Sequence, residues 1–438
     1  MSKRVVLLAA SCVLAAATAR SDDQLAFLIP NLYGPQGLKV ESTALLPSGE
    51  THSAHFNSAF QAEFTQFNIS LASQLAAVPL PSPASGFTYS LDSSLGVMKR
   101  STQSFGPIYT ERADTIGKNK FSLGINYQRF TFDTIEGVGL GAVPAVFTHD
   151  GAPTAPPVNG RSDVVATMNS IGIAVDQATV LFSFGILDRL DLSLAVPVVR
   201  VDMTVVSDAT IHRIGTASSP ATHFYADPSA PGGFGTTKSF TQSGSASGLG
   251  DLVVRLKGNA IKSGRAGLAL GADLRIPTGD ELKLLGSGAA AVKPFLAFSV
   301  AAGRVAPHVN LGYSWNGKSV LAGNVLTGEK KSLPNEFVWA AGLDWGVFER
   351  MTVALDVLGR RVIDSPRLQS STFDSIDGVT KLPDIKFGTG SFDVVNGAVG
   401  IKMNPWGKLL FDLNVLFKLN NAGLRDKITP FFGLEYSF

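Results

Sequence analysis

From residue 119 to its end the chain repeats one alternation, with an apolar side chain at every second position. The segments run roughly 119–133, 168–185, 188–206, 249–261, 264–277, 291–302, 304–316, 335–346, 351–363, 391–403, 408–419 and 427–438. Side chains on a strand point alternately to opposite faces, so each segment offers one surface to an apolar medium and the other to a polar one. In the segment at 408–419, Leu409, Phe411, Leu413, Val415, Phe417 and Leu419 oppose Asp412, Asn414 and Lys418. Every segment reaches the ~9–11 residues that a tilted transmembrane strand needs. The connections also alternate. Short turns at 187–188, 262–263, 303, 347–350 and 405–407 exchange with long stretches at 134–167, 207–248, 278–290, 317–334 and 364–390, then a shorter one at 420–426. Short periplasmic turns and long extracellular loops are the layout of an outer-membrane barrel. A soluble sandwich gives no reason for it. The expected fold is all-β: a transmembrane antiparallel up-and-down barrel of about 12 strands, with one further hairpin open upstream.

Both ends of the chain agree. Met1–Arg4 are cationic, Val5–Ala15 are apolar and Ala17-Thr18-Ala19 are small, the three parts of a secretory signal peptide over 1–19 with cleavage expected after Ala19. The single cysteine, Cys12, lies inside the apolar run; reading it as a lipoprotein site would need an unusually short apolar region. Its removal with the signal leaves a mature chain without a thiol. At the other end, Ile428 to Phe438 alternate and close on an aromatic residue. In bacterial outer-membrane barrels such a closing strand is what the assembly machinery recognises, so Tyr436 and Phe438 are the expected assembly signal.

Charge and hydropathy narrow the partners. Only 16% of residues are charged, the formal net charge is +2 and no basic block occurs, so no nucleic-acid partner is expected. After the signal no apolar run reaches the ~20 residues of a spanning helix. The charges on the alternating segments sit on the polar faces: Asp251, Arg255, Lys257, Asp273, Arg275, Asp356, Arg360, Asp412, Lys418 and Glu435. A Lys or Arg facing lipid near the midplane would cost ~2–4 kcal/mol. These residues are therefore expected in the lumen, as a structural ladder or as selectivity residues.

Residues 20–118 follow another rule. Phe56, Phe60, Phe64, Phe67, Leu71 and Leu75 recur at helical spacing, which predicts an amphipathic helix over 54–77 that Pro79, Pro81 and Pro83 end. It is expected to plug the 119–438 barrel or pack beneath its mouth. Segments 87–98 and 104–113 are expected to pair as a hairpin.

Four stretches carry a family resemblance: Ser104-Phe105-Gly106-Pro107-Ile108-Tyr109-Thr110-Glu111-Arg112-Ala113 with Gly117-Lys118; Asp188-Arg189-Leu190-Asp191 with Val196-Pro197-Val198; Gly248 through Lys257; and Arg275-Ile276-Pro277-Thr278-Gly279-Asp280. With them the chain resembles the outer-membrane family of the MetA pathway of phenol degradation, itself similar in layout to the fatty-acid and aromatic-hydrocarbon channels. The resemblance implies a barrel transporter working beside aromatic-compound breakdown. It implies no ligand-contacting residue.

The expected function is passive passage of small hydrophobic or aromatic compounds across the outer membrane, with no catalytic residue, cofactor or metal. The expected partners are outer-membrane lipid, the barrel assembly machinery and a small-molecule substrate. A non-transport structural or surface-interaction barrel is the alternative, motivated by the long stretches at 134–167 and 207–248; a rim lipid hydrolase is a third. His308 beside Asn310 is read as a lone structural histidine at the periplasmic end of its strand, and His52 and His55 have no acidic or cysteine partners at metal spacing.

Overall fold

The computed structural model describes residues 23–33, 38, 40–42, 56–57, 65–76, 89–92, 97–100, 103–149, 163–213, 223–374 and 379–438. Twelve antiparallel strands pair in chain order and close into a barrel. They are β1 Phe121–Ile135, β2 Asp163–Leu187, β3 Leu190–Arg213, β4 Thr237–Leu249 resumed as Leu252–Ser263, β5 Ala266–Ile276 and β6 Ala291–Val300. Then follow β7 Val305–Asn316, β8 Glu336–Phe348, β9 Met351–Asp374, β10 Lys381–Met403, β11 Leu409–Lys418 and β12 Ile428–Ser437. The last strand closes on the first from Phe431 opposite Gln128 to Ser437 opposite Ser122. The Phe438 N–H donates to the Phe121 carbonyl at 2.8 Å, and their rings lie 5.3 Å apart. Closure pairs each of the twelve strands on both sides, which is what an apolar bilayer demands of a β structure.

The outer surface is apolar in a band. Phe182, Phe184, Leu192, Leu274, Leu355, Val415, Phe432 and Leu434 are exposed on it, and Trp315, Trp345 and Trp406 stand near strand ends. A closed barrel wearing such a belt belongs in lipid, with its aromatics at the interfaces. The chain is therefore an outer-membrane protein.

Four strands are far longer than a bilayer requires. β2 and β3 run 25 and 24 residues, β9 and β10 24 and 23. At ~3.3 Å per residue the longest extend about 80 Å, against a hydrocarbon core of ~30 Å. Along them the two faces exchange character. Near the short-turn end β2 and β3 turn Ser183, Thr179, Asp191 and Ser193 inward and Phe182, Phe184 and Leu192 outward. Further along, Ile171, Ile173, Val201, Met203 and Val205 are buried inside while Asp176, Arg200 and Asp202 face out, Asp176 paired with Arg129 at 3.1 Å and Arg200 with Asp202 at 3.0 Å. The sheet has left the lipid, so water lies outside and the apolar side chains must find cover within.

This exchange corrects the loop boundaries. Much of 207–248 and 364–390, expected as loop, is strand, because the alternation continues there with its apolar face reversed. The connections at 278–290 and 317–334 fold inward: Leu284, Leu285, Val320, Leu321 and Leu333 are buried in the same core as the inner faces of β2 and β3. The Phe-rich helix is also shorter than expected. Helix α1 spans Thr65–Ala76, not 54–77. Phe56 pairs in register with His149 as part of a two-residue strand, because an extended edge at Val143–His149 takes up its backbone hydrogen bonds. Phe60 and Phe64 lie outside the described residues, and Leu71 is buried in the core. A hairpin does form upstream, Tyr89–Asp92 with Val97–Arg100, but residues 104–113 take no part in it.

The outward direction of β12 gives a test. Leu434 is half exposed on the lipid face, so Leu434→Arg should destabilise the folded barrel by ~2–4 kcal/mol. Urea titration followed by heat-modifiable electrophoretic mobility measures it, and an unchanged midpoint would place β12 elsewhere.

Candidate functional site: the plugged lumen

Residues 103–118 run through the short-turn end of the barrel in an extended course without strand partners. Ser104 through Ala113 are all buried. Buried backbone amides need partners, and here inward side chains supply them. The Glu111 N–H donates to Asn310 Oδ1 at 2.7 Å, and Asn310 Nδ2 donates to the Glu111 carbonyl at 2.8 Å. The Phe105, Ala113 and Ile116 amides donate to Thr352 Oγ1, Ser299 Oγ and Asp191 Oδ2 at 2.8, 3.0 and 2.9 Å. Asn259 Nδ2 caps the Ala113 carbonyl at 2.7 Å. The wall is shaped to admit this segment. A Cβ on Gly185 would lie 1.8 Å from the Gly117 carbonyl oxygen, and one on Gly400 2.5 Å from Ile108 Cδ1. Ile108 and Tyr109 pack on Ala354, Ala398, Leu416 and Phe431, with the Tyr109 and Phe431 rings 5.3 Å apart.

Charge fixes the segment in place. Glu111 is held by Arg255 and by Lys257, the latter at 2.9 Å; Arg255 also grips Asp273 at 2.6 Å, which Lys293 reaches at 2.9 Å. On the other side Arg112 and Ser104 converge on Asp344, with Arg112 Nε 3.3 Å from its Oδ1. His308 bridges Asp344 and Asp356 at 3.4 and 2.8 Å, and Thr110 Oγ1 lies 2.7 Å from its Nε2 and 3.1 Å from Asp356. His308 is thus no isolated histidine. A ring flanked by carboxylates at both nitrogens and only 2% exposed acts as a bridge in this network.

The lumen candidates fall into groups. Arg255, Lys257, Asp273 and Asp356 belong to the plug clamp. Asp251 and Arg275 hold the inward connection after β5: Asp251 accepts from the Gly279 and Ser287 amides at 3.1 and 2.8 Å, and Arg275 donates to the Ala289 carbonyl at 3.1 Å. Arg360 reaches Glu336 at 2.8 Å and ties down α1 through the Ser73 carbonyl at 3.2 Å and Gln74 at 2.5 Å. Asp412 and Glu435 flank Lys402 at 3.8 and 4.0 Å, and Lys418 reaches Asp133 at 3.3 Å near the long-loop end. Sequence reasoning did not single out Glu111, Arg112 and Asp344. The signal available was two adjacent opposite charges inside Ser104–Ala113, a stretch otherwise of apolar, glycine, hydroxyl and proline residues.

Between plug and helix lies a cavity of about 220 Å³, floored by Tyr109 and Glu111 and roofed by Ser73 and Gln74. Its sides carry Arg255 and Phe295, the guanidinium 5.1 Å from the ring centre. Above it the interior is apolar and is filled by the chain's own first described residues, Leu25, Ala26, Ile29, Leu32 and Tyr33. No group of three or more His, Cys, Asp or Glu side chains is arranged to hold a metal ion among the described residues.

Residues 178–332 match the model of the family described as "Putative MetA-pathway of phenol degradation". Over that stretch, about a third of its length, the chain is similar to this family. The match runs from the second half of β2 past β7 and includes Arg255, Asp273 and His308 but not the plug. Among solved structures, an outer-membrane channel from Pseudomonas putida F1 is 13% identical, covering 75% of this chain and 99% of its own, with a TM-score of 0.43. A Pseudomonas aeruginosa FadL homologue is 12% identical over 84% and 96%, with a TM-score of 0.32. No curated protein matches. The family resemblance also gains a physical meaning. Its four stretches include the plug; the β2–β3 turn, whose Asp188 carbonyl accepts from Thr115 at 2.7 Å; and two stretches that clasp each other where Thr278 Oγ1 donates to the Gly250 carbonyl at 2.6 Å.

Removing one member of a buried pair costs ~3–5 kcal/mol because the other charge stays buried. Asp344→Asn, which removes the buried carboxylate charge that Arg112 and His308 share, should therefore loosen the plug. Planar-bilayer recordings should show larger or more frequent conductance steps than wild type, and identical traces would mean that the clamp does not hold the lumen shut.

Proposed function

We propose that the chain is a passive channel of the outer membrane that admits small hydrophobic or aromatic molecules to the periplasm. The observation that supports this best is the graded interior: an apolar upper chamber, a cavity of about 220 Å³ and a charged, hydrogen-bonded gate below. Drug-sized ligands occupy sites of ~300–1,000 Å³, so this space suits one small ring. Arg255 over Phe295 gives it both a cation and an aromatic face. Selectivity then follows from the width and charge of the lumen and from the plug, with no chemical step. Asp251, Arg275 and Arg360 act in this reading by fixing the inward connection and α1, and the charges around residues 103–118 hold the gate. The barrel assembly machinery would take the chain by Tyr436 and Phe438.

Purified protein in liposomes tests the proposal. One-ring aromatic solutes should enter faster than into empty vesicles, and faster still with Asp344→Asn. Entry rates equal to empty vesicles for both aromatic solutes and small ions would sink the channel reading. A serine-directed probe on the same sample addresses a lipid hydrolase, which requires labelling together with ester cleavage.

A further inference from the structure

The phenol ring of Tyr33 sits in the upper chamber as a bound ligand would. It is 7% exposed and meets Phe147 and Phe240 edge-on, with ring centres 5.4 and 5.1 Å away and interplanar angles of 90° and 85°. Its hydroxyl lies 2.9 Å from Ser207 Oγ and donates to Asn169 Oδ1 at 3.5 Å. Both of those side chains are fully buried. Asn169 is oriented by its own amide, which donates to the Val143 carbonyl and to Thr167 Oγ1, both at 3.0 Å, leaving Oδ1 to face the ring's hydroxyl. The site is built into the wall: Asn169 on β2, Ser207 on β3 and Phe240 on β4 are successive cross-strand neighbours. Beside it stands Tyr225, 2% exposed, whose ring is 6.3 Å from Phe240 and whose hydroxyl has no hydrogen-bond partner among the described residues.

A tyrosine side chain is a para-alkyl phenol tethered to the backbone. Aromatic pairs in edge-to-face geometry gain beyond their buried area, and a buried site made to bond a hydroxyl discriminates against the ring that lacks one. We propose that Phe147, Phe240, Ser207 and Asn169 form a binding site for neutral phenols, occupied in the resting protein by Tyr33 as a tethered surrogate. An incoming phenol would displace Tyr33 and, with it, the segment from Leu25 to Tyr33 that fills the chamber. Tyr225 supplies a second hydroxyl for a ring bearing another polar group. Burial pushes the Tyr33 phenol up to about 12, against the pull of its Ser207 bond, so the site holds the protonated form and disfavours a phenolate. This inference deepens the channel reading by naming a substrate class, and it rests on that reading for its physiological use.

The test is ¹⁹F NMR binding of 4-fluorophenol and 4-fluorotoluene to the full mature chain in detergent, with wild type reporting micelle partition. A tethered competitor acts at effective concentrations of order mM. Tyr33→Ala should therefore bind 4-fluorophenol at least about tenfold more tightly than wild type. It should prefer it to 4-fluorotoluene, and adding Ser207→Ala should weaken the phenol alone by about three- to tenfold. Equal affinity for the two probes, or no gain over wild type, overturns the site. If Tyr33→Ala refolds poorly by heat-modifiable mobility, Tyr33→Phe keeps the ring and drops the hydroxyl. It should then gain about three- to tenfold in 4-fluorophenol affinity, and affinity equal to wild type overturns the site. Liposome entry of 4-fluorophenol separates the two readings. Absent binding with intact entry removes the site and leaves the channel. Intact binding with absent entry upholds the site and removes the channel.

Discussion

The interior of this barrel depends on the clamp that Arg255 and Lys257 close on Glu111, mirrored by Asp344 on Arg112. A charge pair carried into a barrel on a chain segment without strand partners is costly unless every member finds an opposite charge and its hydrogen bonds. The wall meets that condition strand by strand. It contributes carboxylates where the segment brings Arg112 and cations where it brings Glu111, and amide and hydroxyl side chains where the backbone of 103–118 needs partners. The result fixes the segment's register to a single residue. A slip by one position would set either Arg112 against Arg255 and Lys257 or Glu111 against Asp344, like charge against like.

Once the floor is fixed, the remainder of the lumen follows in layers. The aromatic and aliphatic residues next to the charges, Ile108 and Tyr109, fill the space against Phe431 and Leu416. Above them is the cavity, then α1 held by Arg360, then the apolar chamber filled by the segment that carries Tyr33. Polarity inside the barrel thus runs opposite to polarity outside it. Where lipid surrounds the sheet the interior is polar, and where water surrounds it the interior is apolar, so every level of the long strands keeps one dry face and one wet face.

Much of this was legible in the chain. Alternation gave the strands, because a two-residue period is a local property; the exchange of short and long connections gave their direction. The inward charges were legible because lipid excludes Arg and Lys. Three readings failed for physical reasons. Residues 104–113 join no hairpin because inward side chains of the wall take their backbone hydrogen bonds. The helix was drawn too long because helical spacing of phenylalanines does not reveal that a neighbouring strand edge will claim Phe56. The strand extensions within 207–248 and 364–390 were taken for loops, because a search for lipid-facing residues misses an alternation whose apolar face has turned inward.

The sequence by itself therefore determined that this chain forms a barrel in an outer membrane, roughly where its strands run and which charges point away from lipid. All of these follow from the period of the chain and the medium it must satisfy. What the tertiary structure alone decided is what fills the barrel. That Glu111 meets Arg255 across 144 residues of chain, or that Tyr33 reaches Ser207 across 174, leaves no trace in any local pattern. Each partner reads in isolation as an ordinary polar side chain, and only closure of the sheet around these segments brings them face to face.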